Sequence, residues 1–436
     1  GLSRPNASML ALLTLPSAFS SPTEKEFVMV KLPNAKCADG TPAVYYIAAN
    51  ASSTSWVVWL QGGGLCQSLD DCKSREQGAL GSSRDYASSI DAPRGMLSSD
   101  PVENPDLAAW NKIYIPYCSG DLWQGTAKEA MNPFPNPDDW TAYFHGHYIL
   151  EDVAEQLQAR QSNGGVTEAV LTGCSAGGIG TIVNCDWFSS IFDESVKTAC
   201  RPEAGWFGVP HATYPNFISA GGPDSDPDPR KLAIWNWTAN IEPYMLKSDV
   251  GKRCAADIAT GKLHVEHCEG QKLGEAFCCA SPPLAYAYSK TPMFISENMA
   301  DAYQVFSNGG CPGQSKTCAL SVLNRKATSF WDYIRDGISS SLTTHVINGT
   351  KRHQDGLFAP ACLVHCMSAW QGPVQLGGKT DAQAFGDWYF GRGAPDSHML
   401  FDNSSSPYEL CQCQNEAHVA PDDYLSCETD GFWSPK

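Results

Sequence analysis

The chain has 436 residues, 42% hydrophobic and 18% charged, which is enough apolar material for a large core and rules out wholesale disorder. Its formal net charge of -17 comes with no basic tract, which excludes a nucleic-acid partner and disfavours a heavily ionised acidic polysaccharide. No apolar run approaches the ~20 residues that a membrane-spanning helix needs.

Eighteen cysteines, an even number, accompany N-x-S/T sequons at Asn6, Asn50, Asn236, Asn348 and Asn403. Together they point to an oxidising, secretory compartment. The opening Gly1 reads as a mature or trimmed start, and Met9 to Leu15 is too short an apolar run for a signal peptide.

In chain order, Ala43 to Ala48, Trp56 to Leu60 and Lys112 to Pro116 read as strands rich in β-branched and aromatic residues. Tyr148 to Gln161 carries apolar residues at helical spacing and stops before Asn163-Gly164-Gly165. Ala169 to Thr172 is a buried strand, and Ile179 to Phe188 the helix after it. Pro202 to Pro229, rich in Gly, Pro and Asp, reads as irregular. Pro243 to Ser289, with Cys254, Cys268, Cys278 and Cys279, reads as a disulfide-tied helical insertion. Met293 to Ser296 and Leu357 to Cys362 are later strands. The alternation predicts an α/β fold with a mostly parallel central sheet flanked by helices. A single core usually stops growing near roughly 250–300 residues. We therefore expect one domain over 1–436, with an insertion around 202–289. A Cys-stapled appendage over 394–436 would carry Cys411, Cys413 and Cys427.

Two glycine motifs carry the chemistry. Gly173-Cys174-Ser175-Ala176-Gly177, followed by Gly178, fits G-x-S-x-G between a strand and a helix. That context suits a nucleophile elbow of an α/β-hydrolase, where flanking side chains would collide with neighbouring backbone. The bland reading is a Gly-rich turn with an incidental Ser. The second motif is the strand Trp56 to Leu60 running through Gln61 into Gly62-Gly63-Gly64. It matches the loop that lends bare amides to an oxyanion hole, although strands commonly end in glycine turns. A P-loop is excluded, since the Lys-Ser/Thr ending is missing. Both motifs in this order favour a hydrolase over either alone, with Ser175 as nucleophile.

A serine hydroxyl needs a His held by a carboxylate, and in this fold both follow the Ser in sequence. His365, just after Leu357 to Cys362 and flanked by cysteines, competes with His345 and His353 for the base. Asp301, shortly after Met293 to Ser296, competes with Glu297 and Asp332 for the acid. Pattern alone leaves both choices open.

These segments together resemble the pectin acetylesterase and Notum family. The resemblance runs from about Cys37-Ala38-Asp39-Gly40 to Gly386-Asp387-Trp388-Tyr389-Phe390-Gly391-Arg392. The glycine loop followed by Cys matches Leu60 to Cys66. The Asn-Pro, Trp-Asn and Tyr-Cys signatures match Asn104-Pro105, Trp110-Asn111 and Tyr117-Cys118. The Ser-Ala-Gly-Gly elbow matches Ser175 to Gly178, and plant members also have Cys before the Ser, as Cys174 does here. The family acid, two residues before an aromatic-Gln pair, falls on Asp301 with Tyr303 and Gln304, and the Cys-x-x-His base falls on His365.

The resemblance implies a Ser175–His365–Asp301 triad, with Gly63, Gly64 and Ala176 donating the oxyanion-hole amides. It also implies a secreted serine carboxylesterase that needs no cofactor, acting on O-acetyl esters of an extracellular polysaccharide such as pectin. Gln61 departs from the usual Glu, and Leu65 from the Trp of plant members. Ile115 to Trp123 is closer to Notum, and Phe385 to Arg392 to the plant enzymes. Notum-like protein O-deacylation, or short- to medium-chain carboxylesterase activity, is therefore the alternative. A silent carbohydrate-binding protein on the same scaffold is a third class.

His264, His267 and Cys268, or His145 and His147, sit at spacings a metal site uses. Disulfides and ordinary histidines explain them better in this composition, so no metal is expected. Trp110, Trp123 and Tyr143 are candidate pocket aromatics, with a core role as the plain alternative.

Overall fold

The computed structural model describes residues 26–66, 68–134, 139–207, 241, 243–263, 279–299, 301, 303–304, 336–351, 354–362, 364–367 and 374–402. Ten strands form one sheet in the order β12-β9-β8-β7-β6-β3-β5-β2-β1-β4. They are β1 (Glu26–Lys36), β2 (Pro42–Ala48), β3 (Ser55–Leu60), β4 (Ser89–Asp91), β5 (Asn111–Ile115), β6 (Glu168–Cys174), β7 (Lys197–Glu203), β8 (Phe294–Ser296), β9 (Gly356–Ala359) and β12 (Met399–Phe401). β10 (Gln375–Leu376) and β11 (Lys379–Thr380) make a separate hairpin. Pairing is parallel from β12 through β5 and antiparallel across β5-β2-β1-β4. This is the expected α/β-hydrolase-type sheet.

Period-two alternation sorts the strand residues into two layers. On β3, Trp56, Val58 and Leu60 face a core shared with α2 (Gly146–Gln161) and α3 (Ala176–Ser190), where Ile149, Val153 and Ile182 pack. Val57 and Trp59 face the opposite core, shared with Leu97 and with Phe385 and Tyr389 of the helix Asp381–Tyr389. With both faces covered, the central strands read as near-continuous apolar runs.

Several expectations need correcting. α3 begins at Ala176, directly after the elbow, rather than at Ile179. The strand expected over Leu357 to Cys362 stops at Ala359, since Pro360 has no N–H to extend the ladder. Pro202 and Glu203, read as the start of irregular chain, close β7. β7 hides from a hydropathy reading because it buries charge. Arg201 is fully buried, pairs with Glu203 at 3.0 Å, and also bonds Asp381 on the helix Asp381–Tyr389. β1 and the edge strand β4 beside it were not anticipated. Met399–Phe401, inside the expected tail appendage, joins the sheet as an edge strand beside β9. Cys411, Cys413 and Cys427 lie outside the described residues. So does all of 208–240, while the insertion's Cys254 and Cys279 are bonded to each other.

The loop between β5 and α2 is held by one buried acid. Asp121 accepts hydrogen bonds from Ser119 Oγ (2.6 Å), Trp123 N (3.1 Å), Gly125 N (3.2 Å) and Gly146 N (2.6 Å). Burial raises its pKa, and the four donors act against that. Leu122 and Trp123 both take positive φ, so the clamp offsets backbone strain in two non-glycine residues. Asp121→Asn places an NH2 against part of this donor set. We expect a loss of roughly 3 kcal/mol, read as a lower midpoint in denaturant unfolding. An unshifted midpoint would show that the loop holds its shape without the carboxylate.

Candidate active site

The elbow forms where β6 meets α3. Ser175 has φ 60° and ψ -123°, a conformation that ordinary side chains avoid. Its amide donates to the Glu203 carbonyl at 3.0 Å, and its carbonyl accepts from Ile179 N at 2.9 Å. The backbone crossing is close: a Cβ on Gly173 would stand 2.6 Å from the Leu60 carbonyl oxygen, and one on Gly177 would overlap that same oxygen. Only glycine fits there, as the motif requires.

Leu60 ends β3, so the same crossing sets the start of the glycine loop beside the elbow. Gln61 fixes that loop from inside: its amide donates to the Ile115 carbonyl, and its Oε1 accepts from Tyr117 N at 3.0 Å. Its carbonyl accepts from the Trp123 indole at 3.1 Å. Among the described residues, the amides of Gly63 and Gly64 donate to nothing. Ala176 opens α3, where an amide has no intrahelical acceptor.

The loops after β8 and β9 bring the acid and the imidazole together. His365 Nδ1 lies 2.5 Å from Asp301 Oδ2, and Asp301 Oδ1 accepts from Gln304 N at 2.8 Å. Asp301 is fully buried. With Nδ1–H donating to the carboxylate, the imidazole lone pair sits on Nε2. Tyr303 stacks on the ring at 5.3 Å, and Phe207 meets it edge-on at 6.4 Å. Sequence reasoning used Tyr303 only as a motif landmark and missed this contact.

A disulfide closes the arrangement. Cys174, just before Ser175, is bonded to Cys366, just after His365. A ring nitrogen of His365 lies within 4.8 Å of both sulfurs. The sequence signal was available in the two cysteines flanking the motif residues, but their pairing was not foreseen. Both sulfurs are consumed by the bond, so this grouping offers no thiolate to a metal.

The rivals sort physically. Burial pushes the Glu297 carboxyl well above the usual range, with the Asp301 charge adding to the effect. Its Oε2 accepts from Trp206 N at 2.8 Å. The carboxylate that meets the imidazole is that of Asp301. His345 lies in Thr343–Ile347 against Trp206, 6.4 Å between rings, and burial lowers its pKa. His353 and Asp332 lie outside the described residues, as do His264, His267 and Cys268. His147 stacks on Tyr244 and contacts Asn184, whereas His145 accepts from the Lys36 amide. The pair therefore serves two separate sites.

The aromatic candidates are mostly core. Trp123 is fully buried against Tyr117 and the backbone of Gly180, and Trp110 packs on Tyr389. Tyr143 carries the Lys36 ammonium over its ring.

A family model described as Pectinacetylesterase matches residues 19–215 and 252–412. The chain is 26% identical over 369 residues to pectin acetylesterase 5 of Arabidopsis thaliana, covering 82% of this chain and 77% of that protein. It is 25% identical over 368 residues to pectin acetylesterase 4 of the same plant, covering 82% and 80%. It is also 27% identical over 390 residues to the palmitoleoyl-protein carboxylesterase Notum of Mus musculus, covering 86% of this chain and 66% of the mouse protein.

The tether makes a specific expectation. Replacing both Cys174 and Cys366 by Ala frees the His365 loop, and a displacement on the order of 1 Å costs about 100-fold in rate. Labelling of Ser175 by an organophosphate, followed by mass spectrometry, should slow by about that factor while far-UV circular dichroism stays native. Labelling at the wild-type rate would mean that the disulfide does not hold the imidazole in place.

Proposed function

The chain belongs to the pectin acetylesterase family and is a carboxylic ester hydrolase; from that premise we propose that Ser175, His365 and Asp301 form its catalytic triad. The observation that carries the proposal is the 2.5 Å contact between His365 and Asp301, joined through Cys174–Cys366 to the elbow that presents Ser175. His365 Nε2 takes the proton from Ser175 Oγ as the oxygen attacks the ester carbonyl. The amides of Gly63, Gly64 and Ala176 stabilise the oxyanion. The imidazolium, stabilised by Asp301, gives its proton to the leaving alcohol, and the acyl group stays on Ser175. Water then attacks the acyl-enzyme with His365 as base, releasing a carboxylic acid and regenerating Ser175.

We propose an O-acetyl ester on an extracellular polysaccharide as substrate, following the plant relatives. The net charge of -17 favours weakly ionised stretches of such a polymer, or an acidic working pH. Secretion is supported by five disulfides among the described residues, since such pairs persist in oxidising compartments. None of the described helices is long and apolar enough to cross a membrane. One hydrolase domain with loop insertions accounts for this site.

Ser175→Ala should lower kcat on p-nitrophenyl acetate by at least about 10⁴-fold, and Asp301→Asn by a similar factor. Turnover by Ser175→Ala equal to wild type would remove the nucleophile from the proposal. Across p-nitrophenyl esters, acetate should exceed octanoate by about 10-fold or more. The reverse order would assign the acyl site to long chains, as in a protein deacylase.

A further inference from the structure

Arg75 ends α1 (Leu69–Arg75), the short helix after the glycine loop, and its guanidinium lies under that loop. Nη1 donates to the Gly63 carbonyl at 2.7 Å, and Nε bonds Asp71 at 3.1 Å one turn earlier. The Cys66–Cys72 disulfide ties the helix to the loop, and Cys66 N donates to the Gly120 carbonyl at 2.9 Å. Only 13% of the Arg75 side chain is exposed. A largely enclosed cation aimed at a backbone carbonyl of the glycine loop needs an account.

Peptide geometry supplies it. In a trans peptide the C=O of one residue and the N–H of the next point to opposite sides. Holding the Gly63 carbonyl on Arg75 therefore turns the Gly64 N–H away from it, outward from the supporting helix. Gly63 and Gly64 have φ 149° and 65°, a region both glycines tolerate without a Cβ penalty. That same freedom lets the peptide between them rotate and present its carbonyl oxygen where the amide should be. An oxygen there would repel a developing oxyanion.

We infer that Arg75 is a positioning residue that locks the Gly63–Gly64 peptide so that the Gly64 amide donates to the oxyanion. The inference rests on the proposed role of Gly64 and extends it to a side chain that never touches substrate. The charge-assisted bond also polarises the peptide, making its N–H a better donor.

The test compares Arg75→Met, Arg75→Gln and Arg75→Lys on p-nitrophenyl acetate and with a trifluoromethyl ketone, whose adduct with serine carries an oxyanion. Arg75→Met should lower kcat by about 10- to 100-fold with KM little changed, and weaken the ketone by the same factor as kcat/KM. Arg75→Lys should recover part of both, and added guanidinium should raise the rate of Arg75→Met alone. Unchanged kcat in Arg75→Met, or a lower kcat with ketone affinity intact, would overturn the inference. If Arg75→Met does not fold, Arg75→Gln and Arg75→Lys carry the same comparison. Ser175→Ala separates the two layers: its inactivity beside a fully active Arg75→Met defeats this inference alone, whereas its activity defeats the triad reading itself.

Discussion

Two short loops that are remote in sequence have to be held in register with each other, and one covalent bond does this. Cys174 and Cys366 are separated by 192 positions. On a chain-entropy view, closing a loop of that size stabilises the native state by about 5 kcal/mol. Its placement matters more than its size. The bond joins the residue preceding the strained serine to the residue following the imidazole, so neither loop can drift alone. The remaining freedom of His365 is taken up by Asp301 and by the face of Tyr303.

Charge is also buried within the sheet. Arg201 draws Glu203 on its own strand and Asp381 on a helix into one network, and Ser296 of β8 donates to Asp381 at 2.9 Å. The network therefore binds the ends of β7 and β8 to the layer behind them. Such groups cost desolvation, which opposite charges close by offset. Lys112 is similar: burial pulls its pKa down to about 8, and its ammonium donates to the carbonyls of Ala108 and Trp110.

How much of this was legible in the sequence depended on which signal each part used. The central strands and α2 announced themselves through hydrophobic pattern and glycine stops, and the elbow through two glycines with no room for a side chain. β7 did not, since Arg201, Pro202 and Glu203 look like loop chemistry until their partners are known. Choosing Asp301 over Glu297 was beyond local pattern as well. The two are four positions apart, and what separates them is partners, one bonded to the Trp206 amide and the other to an imidazole. Trp123 misled in the opposite sense, as a glycine- and serine-rich stretch suggested a pocket where the fold has a clamped core loop.

The strand order has a mechanical corollary. β6 stands between β3, which leads into the glycine loop, and the run β7-β8-β9, from which Asp301 and His365 emerge. The glycine loop and the Asp301–His365 pair therefore lie on opposite flanks of one central strand. Within the sheet, a shift of one reaches the other only across β6.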